Sequence, residues 1–359
     1  MSNLISRYHR RALYSVTLLL TIFIVAHAVV GQRRVKRLTD PHPQPAVQAI
    51  LNAFDKYPLV ALGEAHRNQQ VHDFIISLVR NPDFPQKVND IVVEFGSARY
   101  QDVMDRYTLG ETVPAVELRR VWRDTVNILV WDAPVYEGFF KTVRAVNQNL
   151  PRGKRLRVLL ADPPFDWSNI HSKEEWEHIA ETRDDHAAKV IEKEVLAKKH
   201  RALLIFGSAH VIRDKAFDAY GRNRKPDRKP TLAELLEQRY PGASLLIWAH
   251  MPGWMTRELD PRLMSWPKPS LALLKGTWIG AAYVGEHSRS PKLEELADAF
   301  LYVGPIESLT ESKPAPEIYS DADYLRQLLR RNEIQGGFNT SELERLRKRS
   351  LEEKREKPQ

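Results

Sequence analysis

The sequence predicts an α/β domain: one large unit with a mostly parallel central sheet covered by helices on both faces. Three observations carry that expectation. Short, continuous apolar runs alternate with longer amphipathic stretches along residues 47–335. Strands buried on both faces read as uninterrupted apolar runs, and helical crossovers between them give parallel pairing. Several of the runs also end in a polar residue, which is where open parallel sheets gather their ligands.

The elements follow in order. Thr39 to Val47 holds three prolines and reads as a linker. Residues 47–51 start a short helix, and Pro58 to Gly63 forms the first buried strand. Val71, Phe74, Ile75 and Leu78 repeat at helical spacing, which predicts a helix over 69–80 that Asn81-Pro82 ends. Asp90 to Phe95 is the second strand, followed by a helix from about Ala98 to Tyr107. Asp132 reads as the cap of a helix beginning near Pro134. Leu156 to Ala161 is the third strand. A long charged helix from about Lys173 to Lys199 leads into the fourth, Ala202 to Gly207. A helix from Thr231 to Arg239 precedes the fifth, Ser244 to Trp248. Phe300 to Val303 reads as a late strand at a sheet edge, and Tyr324 to Arg331 as a helix. Residues 336–359 form a charged tail. The stretches 108–135 and 251–297 are the expected insertions or lids.

Charge and composition exclude several classes. The chain has 359 residues with a net charge of +8, yet residues 1–40 carry seven basic side chains against Asp40 alone. The rest is close to neutral, so a basic nucleic-acid-binding domain is not expected. There is no cysteine. Disulfides, thiolate-bound zinc, iron–sulfur clusters and a thiol nucleophile are therefore absent. No Walker A, GxGxxG or GxSxG phrase occurs, which argues against nucleotide-binding folds and a serine elbow.

Residues 12–30 are 19 uncharged residues behind Arg7, Arg10 and Arg11. Within residues 1–30 this reads either as a signal peptide, with Ala26-His27-Ala28 as a small-x-small cleavage site, or as an uncleaved anchor. Residues 31–46 then form the linker. Either way the expected location is outside the cytoplasm, periplasmic or extracytoplasmic, with the inner membrane as a partner through residues 12–30 if the segment is retained.

The functional expectation rests on polar strand ends. The first strand runs into Gly63-Glu64-Ala65-His66, the second carries Glu94 after Ile91-Val92-Val93, the third ends at Asp162, and the fourth runs into Gly207-Ser208-Ala209-His210. Two imidazoles and carboxylates on one rim suit two chemistries. His66, Glu94 and His210 form a divalent-metal ligand set. Glu64, His66, Glu94 and His210 equally form a metal-free acid–base set for activating water. Arg67 and Arg99, just beyond the rim, read first as surface ion-pair partners, and Asp162 as a turn residue ahead of Pro163. His250 reads equally as a member of the site or as a core or loop group, and the tryptophans at 122, 131, 167 and 176 read first as core, with pocket walls as the alternative.

The ordered phrases GEAH, VVEF and GSAH resemble the superfamily that groups ChaN-like haem-uptake proteins, erythromycin-esterase-like hydrolases and TIKI/TraB-type proteases, over roughly residues 47–250. The ChaN-like branch is the nearest in this reading. The resemblance implies an α/β sandwich. Its hydrolytic branches imply that Glu64, His66, Glu94 and His210 act on an ester, lactone or peptide bond, with or without a metal. Its uptake branch implies instead an exported haem-binding protein without turnover, in which Tyr100, Tyr107 or Tyr136 would bind iron. The expected ligand is accordingly a small molecule, a peptide or haem.

Overall fold

The computed structural model describes residues 38–213, 229–252, 259–284, 291–314, 318–319 and 321–336, with scattered positions between 341 and 352. Residues from Asp40 onward form one compact unit. Its sheet has the order β1-β7-β8-β6-β2-β5-β3-β4. The strands are β1 (Gln44–Pro45), β2 (Leu59–Glu64), β3 (Asp90–Ser97), β4 (Arg157–Asp162), β5 (Ala202–Gly207), β6 (Ser244–Ala249), β7 (Ser270–Leu273) and β8 (Ala299–Tyr302). From β8 through β6, β2, β5 and β3 to β4 all pairings are parallel, whereas β1–β7 and β7–β8 are antiparallel. The fold class is the one the apolar runs predict.

Side-chain alternation along the central strands creates two cores. Val60, Leu62, Ile91, Val93 and Phe95 face one side, where they meet α1 (Ala46–Ala53), α2 (Gln69–Arg80), α3 (Gln101–Thr108) and α5 (Pro134–Gln148). α4 (Ala115–Arg123) adds Leu118, Val121 and Trp122 to the same core. Leu59, Ala61 and Val92 face the other side, under α7 (Arg183–Ile191) and α8 (Leu232–Arg239). α6 (Lys173–Ala180) and α9 (Ala322–Gln335) pack beside Trp167 and Ile128 in a third, smaller cluster. Local chemistry sets the helix starts. The Asn68 side chain accepts the Val71 N–H at the head of α2, and Thr231 forms a reciprocal capping box with Glu234 at the head of α8.

Four expectations change. β8 is interior, paired on both sides, because the short β7 hidden in the Pro-rich region adds beside it. The long helix expected over 173–199 is broken after Ala180 and resumes at Arg183, followed by a π-helical turn at Glu192–Leu196. Asp132 does not cap α5, since Ala133 occupies that position; its buried carboxylate accepts from the Tyr324 hydroxyl instead. The fourth concerns the membrane. Among the described residues no helix is long and apolar enough to cross a bilayer. Residues 12–30, on which the anchor, the membrane partnership and the exported location were placed, lie outside the described residues, so none of the three is carried forward.

Phe95 is the hinge of the first core. Its ring lies 4.9 Å from Tyr136, 5.4 Å from Phe139 and from Phe140, and 6.1 Å from Trp131, centroid to centroid. Phe95→Ala is expected to destabilise the domain by about 3–5 kcal/mol in equilibrium denaturant unfolding; a loss below about 1 kcal/mol would mean that this aromatic cluster does not anchor the fold.

Candidate functional site

Strands β2, β5, β3 and β4 are neighbours, so their C-terminal ends bring the predicted polar groups to one rim. Glu64 lies opposite Gly207 in the β2–β5 register. Alternation then separates the two glutamates. Glu64 shares the face of Val60 and Leu62, whereas Glu94 shares the face of Val92. Both carboxylates are buried, at 2% and 3% exposure. Each therefore needs charge-compensating partners from the layer it faces.

Glu64 finds its partners on the α2–α5 side. One carboxylate oxygen lies 2.8 Å from His66 Nδ1 and the other 2.9 Å from His72 Nε2. The Tyr136 hydroxyl donates more weakly at 3.5 Å and accepts the Arg67 backbone N–H at 2.9 Å. Burial pushes the Glu64 carboxyl up, but His66 and His72 outweigh it and hold the group down to about 2. The His66 ring stands edge-on to Trp131, with centroids 4.7 Å apart, and its side chain remains 37% exposed. Burial would lower its basicity; Glu64 first, and then Glu94, reverse that and raise it above the ordinary value of 6.5. Arg67 follows with a left-handed φ of 65°, a strain of about 1–3 kcal/mol for a non-glycine residue. Its guanidinium donates to the Leu129 and Val130 carbonyls and pairs with Glu311. The strained turn thereby holds the His66 loop against the strand of chain that carries Trp131.

Glu94 is served from the α7 side. Arg183 Nη2 donates to one oxygen at 2.6 Å, and the Gly207 N–H donates to the other at 2.6 Å. His210 Nε2 stands 3.3 Å from the first oxygen, while its Nδ1 meets Asp184 at 2.6 Å. Arg183 also donates to Asp162, whose second oxygen accepts the Val126 N–H. Burial raises the Glu94 carboxyl, yet His210 and Arg183 prevail and hold it well below its ordinary range. His210 is raised to about 10, because Asp184 and Glu94 outweigh its desolvation. Asp162 is pushed up to about 6 by burial, against the pull of Arg183.

Gly207 sits where the two halves meet. A Cβ there would lie 2.6 Å from His66 Cε1, 3.1 Å from its Nε2 and 3.2 Å from a Glu94 oxygen. Only glycine lets both groups close over the end of β5.

The structure thus brings Glu64, His66, Glu94 and His210 to one rim, together with Asp162. The metal expectation for His66, Glu94 and His210 is corrected. Among the described residues no group of three or more His, Asp or Glu side chains is arranged to hold a metal ion. The reason is visible in the partners. The Glu94 oxygens are taken by Arg183 and Gly207, and the Arg183 cation supplies the positive charge that a metal would. Arg67 and Arg99 make the expected ion pairs, with Glu311 and Asp166. His250 is satisfied by the Gly304 carbonyl. Asp162 is a buried ion-pair partner rather than a turn residue. The Tyr100 and Tyr136 hydroxyls are engaged inside the protein, with Asp124 and with Arg67 and Glu64.

Sequence reasoning missed Arg183, Asp184 and His72, whereas Trp131 is the core group it was read as. His72 had a signal: a histidine beside Val71 on the apolar flank of α2 is buried and needs a carboxylate.

Comparison with known proteins gives the fold alone. No family model matches the chain, and no curated protein matches it. Among solved structures, it is similar to a succinoglycan biosynthesis protein, with 9% identity, a TM-score of 0.51, and 74% of this chain and 94% of that one covered. It is similar to a variant of the erythromycin esterase EreC in its open conformation, with 14% identity, a TM-score of 0.50, and the same shares covered. The haem-bound ChaN of Campylobacter jejuni aligns over 71% of this chain and 90% of its own, at 14% identity and a TM-score of 0.37, too low to carry an argument. The specific ChaN-like assignment is therefore withdrawn in favour of a distant resemblance of folds.

Arg183 neutralises two buried carboxylates, so Arg183→Leu is expected to cost about 3–5 kcal/mol of stability in denaturant unfolding. His210 gives a pH signature. Its pKa is raised on folding, so its contribution is complete below about 6.5 and is lost as pH rises towards 10. Stability should fall across that window, and His210→Asn should flatten the slope; an unchanged slope would contradict the assignment.

Proposed function

We propose that the domain is a hydrolase for an ester, lactone or peptide bond, in which His66 acts as general base. The observation that carries this reading is the Glu64–His66 pair: a buried carboxylate 2.8 Å from Nδ1 of an imidazole that stays partly exposed. With Nδ1–H donated to Glu64, the proton-free Nε2 takes a proton from water as its oxygen attacks the carbonyl carbon. His72 and Tyr136 hold Glu64 from behind.

The second histidine takes the complementary role. His210, kept cationic by Asp184 and Glu94, supplies positive charge to the developing oxyanion and a proton to the leaving group. Glu94 is a positioning residue in this scheme. It fixes Arg183, the Gly207 N–H and His210, and touches no substrate. In this scheme the two imidazoles on one rim divide the work, His66 as base and His210, raised to about 10, as acid.

The test is hydrolysis of a short-chain aryl ester, a lactone and a peptide amide by the purified domain. His66→Ala should lower kcat by about 10²–10⁴-fold with the fold retained by circular dichroism. The rate should climb with pH through a value above 6.5, as His66 loses its proton, and fall towards 10, as His210 loses its own. Glu64→Gln should move the rising limb to lower pH, because the carboxylate that raises His66 is gone. Wild-type rates no higher than those of His66→Ala on all three substrates would end the hydrolase reading.

A further inference from the structure

A cleft lies between α4, α9 and the turn that carries Trp167, and shares no residue with the Glu/His rim. Its volume is about 530 Å³, within the range of small-molecule sites. Five guanidinium groups line it: Arg119, Arg120, Arg123, Arg330 and Arg331. The carboxylates beside them are already engaged. Asp124 accepts from the Tyr100 hydroxyl, Arg120 and Arg331. Asp166 pairs with Arg99 and Asp323 with Arg326, while Asp321 accepts only backbone N–H groups at the head of α9 and keeps its charge.

The cations are not equally matched. Arg119 is exposed and has no ion pair or hydrogen bond among the described residues. Arg330 donates only to the Trp167 and Ile170 carbonyls, which aim the guanidinium without cancelling its charge. Arg123, by contrast, is already matched: it lies 3.9 Å over the Tyr324 ring and its Nε pairs with Asp132 at 3.4 Å. Arg330, held by two carbonyls, and Arg119, with no described partner, leave two guanidinium groups without counter-charges, which suit a planar or tetrahedral oxyanion that accepts their forked N–H donors. Trp167 and the exposed Val116 give the same cleft an apolar wall.

We propose that this cleft binds a small organic anion through a carboxylate or phosphate group, with Arg119 and Arg330 as its charge partners. The site is independent of the hydrolase reading and is tested by binding alone. Isothermal titration of the full chain with inorganic phosphate, and separately with citrate, distinguishes the two anion types, and sodium chloride at matched ionic strength controls for screening. Saturable binding of at least one anion, weakened tenfold or more in Arg119→Ser, is the expected result. Arg119 is exposed and bonded to nothing described, so this variant keeps the fold; Arg330→Gln, checked by circular dichroism, is the second. No saturable heat with either anion, or the same affinity in both folded variants, would overturn the proposal.

Discussion

The buried carboxylate of Glu94 constrains everything at the rim. An ionised side chain at 3% exposure is tolerated only with cations and N–H donors around it. That requirement fixes the start of α7, where Arg183 reaches the strand ends, and the exit of β5, where the Gly207 N–H turns inward. It also fixes His210, which is held between Glu94 and Asp184. The break between α6 and α7 has a role here: it sets Arg183 and Asp184 in a first helical turn, where adjacent side chains fan out to separate partners.

The sheet then divides labour between its faces. Glu64 and Glu94 stand on opposite sides because one follows Leu62 in phase and the other follows Val92. The first gathers His66, His72 and Tyr136; the second gathers Arg183, His210 and the Gly207 N–H. Two histidine–carboxylate pairs result, and in both the imidazole is made more basic. His210 has two anionic neighbours and remains a cation, whereas His66 is pulled mainly by Glu64, opposed by its own burial and by His210.

Much of this was legible in the residues. Continuous apolar runs such as Leu203 to Phe206 are buried on both faces, and such runs mean parallel strands. The Gly-x-Ala-His phrases marked sharp exits from the sheet, and Glu94 stood out as a charge inside an apolar strand. The helical contributions were not legible. Arg183 and Asp184 fall inside the continuous charged helix that the sequence predicts from about Lys173 to Lys199, a pattern that aims neither at the strand ends. Only the break at residues 181–182 aims both at the rim. The metal set failed for a related reason, because a side chain distant in sequence already supplies the cation. The interior position of β8 was hidden by its four-residue antiparallel neighbour within a Pro-rich stretch.

The most direct test is an NMR titration of the two imidazole rings, with His66→Gln and His210→Asn used to assign their signals. The account predicts that His66 loses its proton first, above pH 6.5, and that His210 stays protonated until about pH 10. Two rings titrating together near 6.5, or His210 losing its proton before His66, would contradict it.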